Sequence, residues 1–187
     1  WSLETSGGDL PVVTPHDSLF GQVAVSSFNP YGKAATGFLA LKDLMGDDAF
    51  RTALHEFMAR WHGKRPLPWD MFNTFNNAGV GDYTWFFNNW FFGYNYMDLG
   101  LGDVVTNDGA HRVNVHNVGG MAMPFDLVLT YDDGSTERVH RTPAVWKDTP
   151  RLTQVELSST KPLRKVVLDT GIFMDFQPGD NTWQAAP

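Results

Sequence analysis

Apolar residues between Ala34 and Phe92 recur at helical spacing, and those after Met97 alternate with polar ones. The first run holds Ala34, Ala35, Phe38, Leu41, Leu44 and Met45, with Asn29 and Pro30 as the expected N-cap and first helical residue and Gly46 as the stop. Phe50, Ala53, Leu54, Phe57, Met58 and Trp61 repeat at i, i+3, i+4, i+7, which predicts a second helix capped by Asp47 or Asp48 and closed by Gly63. Trp69, Phe72 and Phe75 predict a third, short helix ending at Gly79. Asp82 is the expected cap of a fourth over 83–92, apolar nearly all round and therefore buried. Four helices with short turns imply an antiparallel helical array.

Beyond Met97 the period is two. Arg112, Asn114 and His116 alternate with Val113, Val115 and Val118, and Phe125, Leu127, Leu129 and Tyr131 with Asp126, Val128 and Thr130. Asp132-Asp133-Gly134-Ser135 is a hairpin turn signal leading into 136–141. Further strands are expected over 152–157 and 164–168. Short strands with turns between them point to a β-sandwich. The expected organisation is α+β in two domains: residues 1–95 helical and residues 96–187 a sandwich, with the boundary near 93–102. The aromatics divide the same way, 19 of 26 falling in residues 1–95.

Composition narrows the function classes. With 42% hydrophobic and 19% charged residues the 187-residue chain is globular. A net charge of -7 argues against nucleic acid or an anionic membrane surface as partner. No apolar run reaches the ~20 residues of a membrane span. Without cysteine, disulfides and thiolate metal sites are excluded. That absence suits periplasm and cytoplasm alike; a periplasmic or secreted location is favoured. The chain opens on Trp1, with no signal peptide visible, and is expected to be a processed product or a piece of a longer protein.

Candidate chemistry is sparse. His55-Glu56 begins like a His-Glu-x-x-His zinc helix, but position 59 is Ala59, and His62 lies two turns from His55, too far to share one ion. His111 and His116, five apart in a strand, face opposite sides; they and the isolated His16 and His140 are expected to be surface or turn polarity. Asp132, Asp133, Asp169, Asp175 and Asp180 lack any EF-hand spacing and suit turns. Trp61, Trp69, Trp85 and Trp90 fall in or beside helical patterns, which favours core packing over sugar stacking. Neither a phosphate loop nor a nucleophile elbow occurs. The residues themselves therefore predict no metal and no cofactor bound by this chain. Tyr31, at a helix start ahead of Lys33, is the candidate catalytic residue, since a phenol can donate to a developing oxyanion.

The ordered series Leu10–Pro15, Tyr31-Gly32-Lys33, Leu44–Phe50, Trp69–Phe75, Gly81–Phe91 and Leu168–Trp183 resembles the region following the zinc site in gluzincin metallopeptidases of the aminopeptidase N and leukotriene hydrolase type. Ala34 departs from that pattern, which has Gly after the lysine. The resemblance implies that residues 1–95 are the helical C-terminal part of a thermolysin-like catalytic domain, followed by an immunoglobulin-like β-sandwich. It implies a zinc-dependent aminopeptidase hydrolysing peptide bonds, in which Tyr31 stabilises the transition state and the helices wall one side of the cleft. The zinc and its ligands would belong to an N-terminal part of the same protein, and this chain alone would be inactive. The rival expectation is a non-catalytic helical plus β-sandwich module that binds protein or glycan.

Overall fold

The computed structural model describes residues 9–19, 28–78, 81–107 and 110–186. The chain divides into two compact units between Asn95 and Tyr96. The described residues form helices followed by two antiparallel sheets, an α+β protein.

The helical unit holds α1 (Ala34–Met45), α2 (Asp47–Trp61), α3 (Pro68–Ala78) and the single turn α4 (Thr84–Phe87). A π-helical turn, Asn29–Lys33, runs into α1, and a second, Asn88–Phe92, continues α4. The expected cap at Asn29 is therefore corrected. Phe28 holds the cap position with helical backbone angles, and Asn29 turns inward to donate its Nδ2 to the Leu10 carbonyl at 2.6 Å. Asp47 and Asp48 do not cap α2 either. Gly46, at φ 80°, takes the cap position that a side chain would strain, and the two aspartates fall in the first turn, where they favour the helix dipole. Asp82 accepts the Thr84 N–H at 2.9 Å from one position outside the cap, Tyr83.

Aromatic rings fill this unit's core. Phe72 stacks on Phe87 with centroids 4.4 Å apart and touches Phe91 at 5.2 Å and Phe92 at 5.9 Å. Phe38 reaches Phe91 from α1 at 5.4 Å, and Phe50 reaches Phe75 edge-on from α2 at 5.5 Å. Phe75, Phe86 and Trp90 are almost fully enclosed. The apolar stripe predicted for α2 is only partly covered: Ala53 is buried, while Met58 remains 54% exposed. Trp69, expected in the core, is 55% exposed and lies stacked on Phe92.

The strand unit holds β1 (Leu99–Asn107), β2 (Ala110–Asn117), β3 (Phe125–Tyr131), β4 (Thr136–Arg141), β5 (Leu152–Ser158), β6 (Leu163–Asp169) and β7 (Thr182–Gln184). They form one sheet of order β1-β2-β5 and one of order β4-β3-β6-β7. Sequence alternation becomes burial: Val113 and Val115 in β2, Leu127 and Leu129 in β3, and Val166 and Leu168 in β6 are buried. Between β4 and β5, Trp146 packs on Phe125 and donates its indole N–H to the Met123 carbonyl at 2.8 Å. The Asp133–Ser135 turn forms with Gly134 at φ 81°. Two strands had no alternation to announce them: β1, with glycines at 100 and 102, and the three-residue β7.

Truncating Phe75, fully enclosed between Phe38 and Phe50, removes a large part of the ring cluster. Phe75→Ala is expected to lower the unfolding free energy by about 3–5 kcal/mol, measured by urea denaturation. A loss below about 1 kcal/mol would mean that the ring cluster does not hold the helical unit together.

Candidate functional site

Tyr31 stands on the π-helical turn that leads into α1, and the residues around it explain its position. Two places further on, Lys33 points inward and is fully buried, its Nζ 2.5 Å from Asp9 Oδ2 and 3.3 Å from the Asn95 carbonyl. Asn29, two places earlier, is held on the Leu10 carbonyl, and Val13 donates its N–H to the Phe91 carbonyl at 3.2 Å. The 9–14 segment is thus bound to both π-helical turns. With Asn29 and Lys33 both fixed inward, the intervening Tyr31 is directed outward. Its ring is 79% exposed. Ala35 and Leu39 follow at four-residue steps on the same helical face and are also exposed, Leu39 at 47%. The result is an apolar stripe with a phenol at its N-terminal end.

The other sequence candidates lie elsewhere. Glu56 pairs with Arg60 one turn on, His55 is exposed on α2, and His62 is exposed just after its end. His116 is exposed on β2, and His140 contacts Asp126 at 2.7 Å. His111 is a correction: only 2% exposed, it sits between the Thr106 hydroxyl at 2.8 Å and the Lys161 carbonyl at 2.9 Å. Its strand position gives the reason, since odd positions of β2 face the interior. Of the turn aspartates, Asp133 pairs with Lys161 at 2.7 Å, and that hydrogen bond holds its carboxyl below the ordinary range. Asp169 lies 2.9 Å from Arg138.

Asp175 and Asp180 have a different setting, with a third carboxyl, Asp98, that the sequence reading did not single out. Asp98 is 4% exposed, and burial first, then the charges of Asp175 and Asp180, push its carboxyl up to about 6. Asp180 is raised as well, by burial and then by Asp175. The only sequence signal was weak: an aspartate between Met97 and Leu99, both of which are buried. Among the described residues no group of three His, Cys, Asp or Glu side chains is placed to hold a metal ion. No described helix is long and apolar enough to cross a membrane.

No protein-family model and no curated protein matches the chain. Among solved structures, the crystal structure of Legionella pneumophila aminopeptidase A in complex with aspartic acid is similar in fold. The TM-score is 0.61 at 16% identity, over 78% of this chain and 17% of that one. The match therefore spans about a sixth of the length of that protein.

The Lys33–Asp9 pair is the feature of this site most sensitive to substitution. Lys33→Met would leave Asp9 charged and enclosed, at an expected cost of about 3–5 kcal/mol. Adding Asp9→Leu should recover most of that loss, because a buried pair replaced by apolar side chains is often neutral. Urea unfolding of both variants checks this; a single variant as stable as the parent would show that the pair does not anchor the Tyr31 turn. The fold of this chain is shared with part of an aminopeptidase structure.

Proposed function

We propose that this chain is part of a peptidase of the aminopeptidase type, in which the helical unit walls one side of a peptide-binding cleft and Tyr31 donates a hydrogen bond to the reacting carbonyl. The observation that carries the reading is the outward phenol of Tyr31 on an apolar stripe, fixed by inward anchors two residues to either side. The likeness in fold to part of Legionella aminopeptidase A supports it. So does the ordered series of motifs from Leu10 to Trp183.

In this reading residues 1–95 complete a catalytic domain and residues 96–187 form a β-sandwich without chemistry. Among the described residues no group of three His, Cys, Asp or Glu side chains is placed to hold a catalytic zinc ion. Zinc and its ligands are assigned to a preceding part of the same protein, in keeping with the gluzincin resemblance, and a periplasmic or secreted place is proposed for the whole. What this chain contributes is a donor. As an amide carbonyl becomes tetrahedral its oxygen gains charge, and a phenol aimed at that position bonds more strongly to the transition state than to the substrate. Exposure of Tyr31 in this chain leaves its hydroxyl accessible to a substrate.

A second reading is favoured by a separate observation. Trp69, exposed beside the exposed Leu67 and held flat against Phe92, is a surface that a protein- or glycan-binding module could use.

The two readings separate on one variant. In the complete protein Tyr31→Phe should lower kcat by about 10²–10³ while KM and fold stability change little, because only the transition-state hydrogen bond is removed. Steady-state kinetics on an aminoacyl reporter substrate measures both constants. An unchanged kcat would remove Tyr31 from the reaction and leave the binding-module reading.

A further inference from the structure

Where α2 passes into α3, every residue from His62 to Trp69 is exposed. Exposed connections are usually loose; this one is tied along its length. The His62 N–H donates to the Met58 carbonyl and the Lys64 N–H to the Trp61 carbonyl, both at 2.9 Å. Lys64 Nζ donates to the Arg60 carbonyl at 2.7 Å. Asp70 accepts the Leu67 N–H at 2.8 Å and returns its own N–H to the Leu67 carbonyl at 3.0 Å. Pro66 and Pro68 fix two further backbone angles.

Two kinds of side chain stand on this loop. Leu67 and Trp69 are apolar and more than half exposed. Trp69 gives one face to Phe92, with centroids 4.8 Å apart, and meets Phe72 edge-on at 6.2 Å, so the ring is held while most of it stays open. A large aromatic already held in place loses little freedom when a partner covers it, which is the property of an interface hot spot. The second kind is cationic. Residues 57–69 contain Arg60, Lys64 and Arg65 and no carboxylate, in a chain whose 21 acidic residues outnumber its 14 basic ones. The acids that bracket the stretch are engaged, Glu56 by Arg60 and Asp70 by the Leu67 N–H. Lys64 meets neutral groups, a carbonyl and the Trp61 ring at 5.8 Å. Arg65 has no hydrogen bond or ion pair among the described residues.

We propose that the 62–69 loop docks a peptide segment of a partner protein that carries a carboxylate side chain beside an apolar one. The apolar side chain covers Leu67 and the open part of Trp69. The carboxylate takes Arg65, whose planar guanidinium can bond both of its oxygens, and Lys64 adds attraction at longer range. A neutral glycan stacked on Trp69 would leave both cations unused, and an anionic bilayer would meet the repulsion of a net charge of -7. A peptide partner rests on the binding reading of the Trp69 surface and is independent of Tyr31.

The test titrates the whole chain with a capped hexapeptide in which glutamate alternates with phenylalanine and leucine, followed by the amide and indole NMR signals. Shifts should centre on the 62–69 amides and the Trp69 indole N–H. Arg65→Ala should weaken binding about tenfold, and replacing the peptide's glutamates by glutamine should cost as much. Added salt should weaken binding to wild type more than to Arg65→Ala. Trp69→Ala should abolish binding; should that variant fail to fold, Arg65→Ala, a change at an exposed residue, still decides. No shifts at millimolar peptide, shifts centred elsewhere, or equal affinity for the glutamine peptide would overturn the proposal. Maltohexaose shifting the Trp69 indole where the peptide does not would overturn the peptide partner and leave the binding reading standing. Sedimentation with phosphatidylserine vesicles that is lost in Arg65→Ala, without peptide binding, would overturn it in favour of a lipid surface.

Discussion

The buried contact between Lys33 and Asp9 is the constraint on which the helical unit's exposed chemistry depends. A fully buried ammonium is tolerable only with its counter-charge beside it. Asp9 comes from the lead-in ahead of the helices, so satisfying Lys33 draws residues 9–14 onto the first π-helical turn. Val13 then reaches the Phe91 carbonyl and joins the lead-in to the last turn of the unit. Tyr31, between the inward Asn29 and Lys33, has only the outward direction left. A phenol this exposed, on a stripe shared with Ala35 and Leu39, is the kind of surface that substrate or another part of a protein covers.

The two units hold their cores by different means. The helical unit relies on rings from all four helices and the closing π-helical turn: Phe72 meets Phe87, Phe91 and Phe92, and Phe75 meets Phe38 and Phe50. Ring contacts of this kind add to plain burial and restrict the orientation of short helices that would be marginal alone. The strand unit relies on alternation, with aliphatic side chains facing inward and ion pairs such as Arg138 with Asp126 and Asp169 at the surface. Near Asp175 and Asp180, by contrast, the carboxyl of Asp98 is enclosed, only 4% exposed.

How much of this was legible in the sequence follows from how local each signal is. Helical periodicity located α1, α2 and α3, and alternation located β2 and β3, because burial on one face writes itself directly into residue order; β4 was announced by the turn signal before it, and β5 and β6 were expected as further strands. Caps were less legible. Asn29 and Asp47 are good capping residues, but a distant carbonyl claimed the first and a positive-φ glycine displaced the second. β1 and β7 carried too little alternation to read. Trp69 looked like core because its spacing fits α3, and only the packing shows it at the edge of the ring cluster. The Asp98 cluster was hard to read for a simpler reason: Asp98 lies more than seventy residues from Asp175 and Asp180, and only the fold brings Asp175 to Leu99.

The central claim is that Tyr31 recognises a tetrahedral oxyanion. Binding of a tetrahedral phosphinic peptide analogue to the complete protein, compared between wild type and Tyr31→Phe, tests it most directly. The account predicts that the variant binds the analogue about 10²–10³-fold more weakly while its affinity for the free amino-acid product is unchanged. Equal affinity of both proteins for the analogue would contradict it.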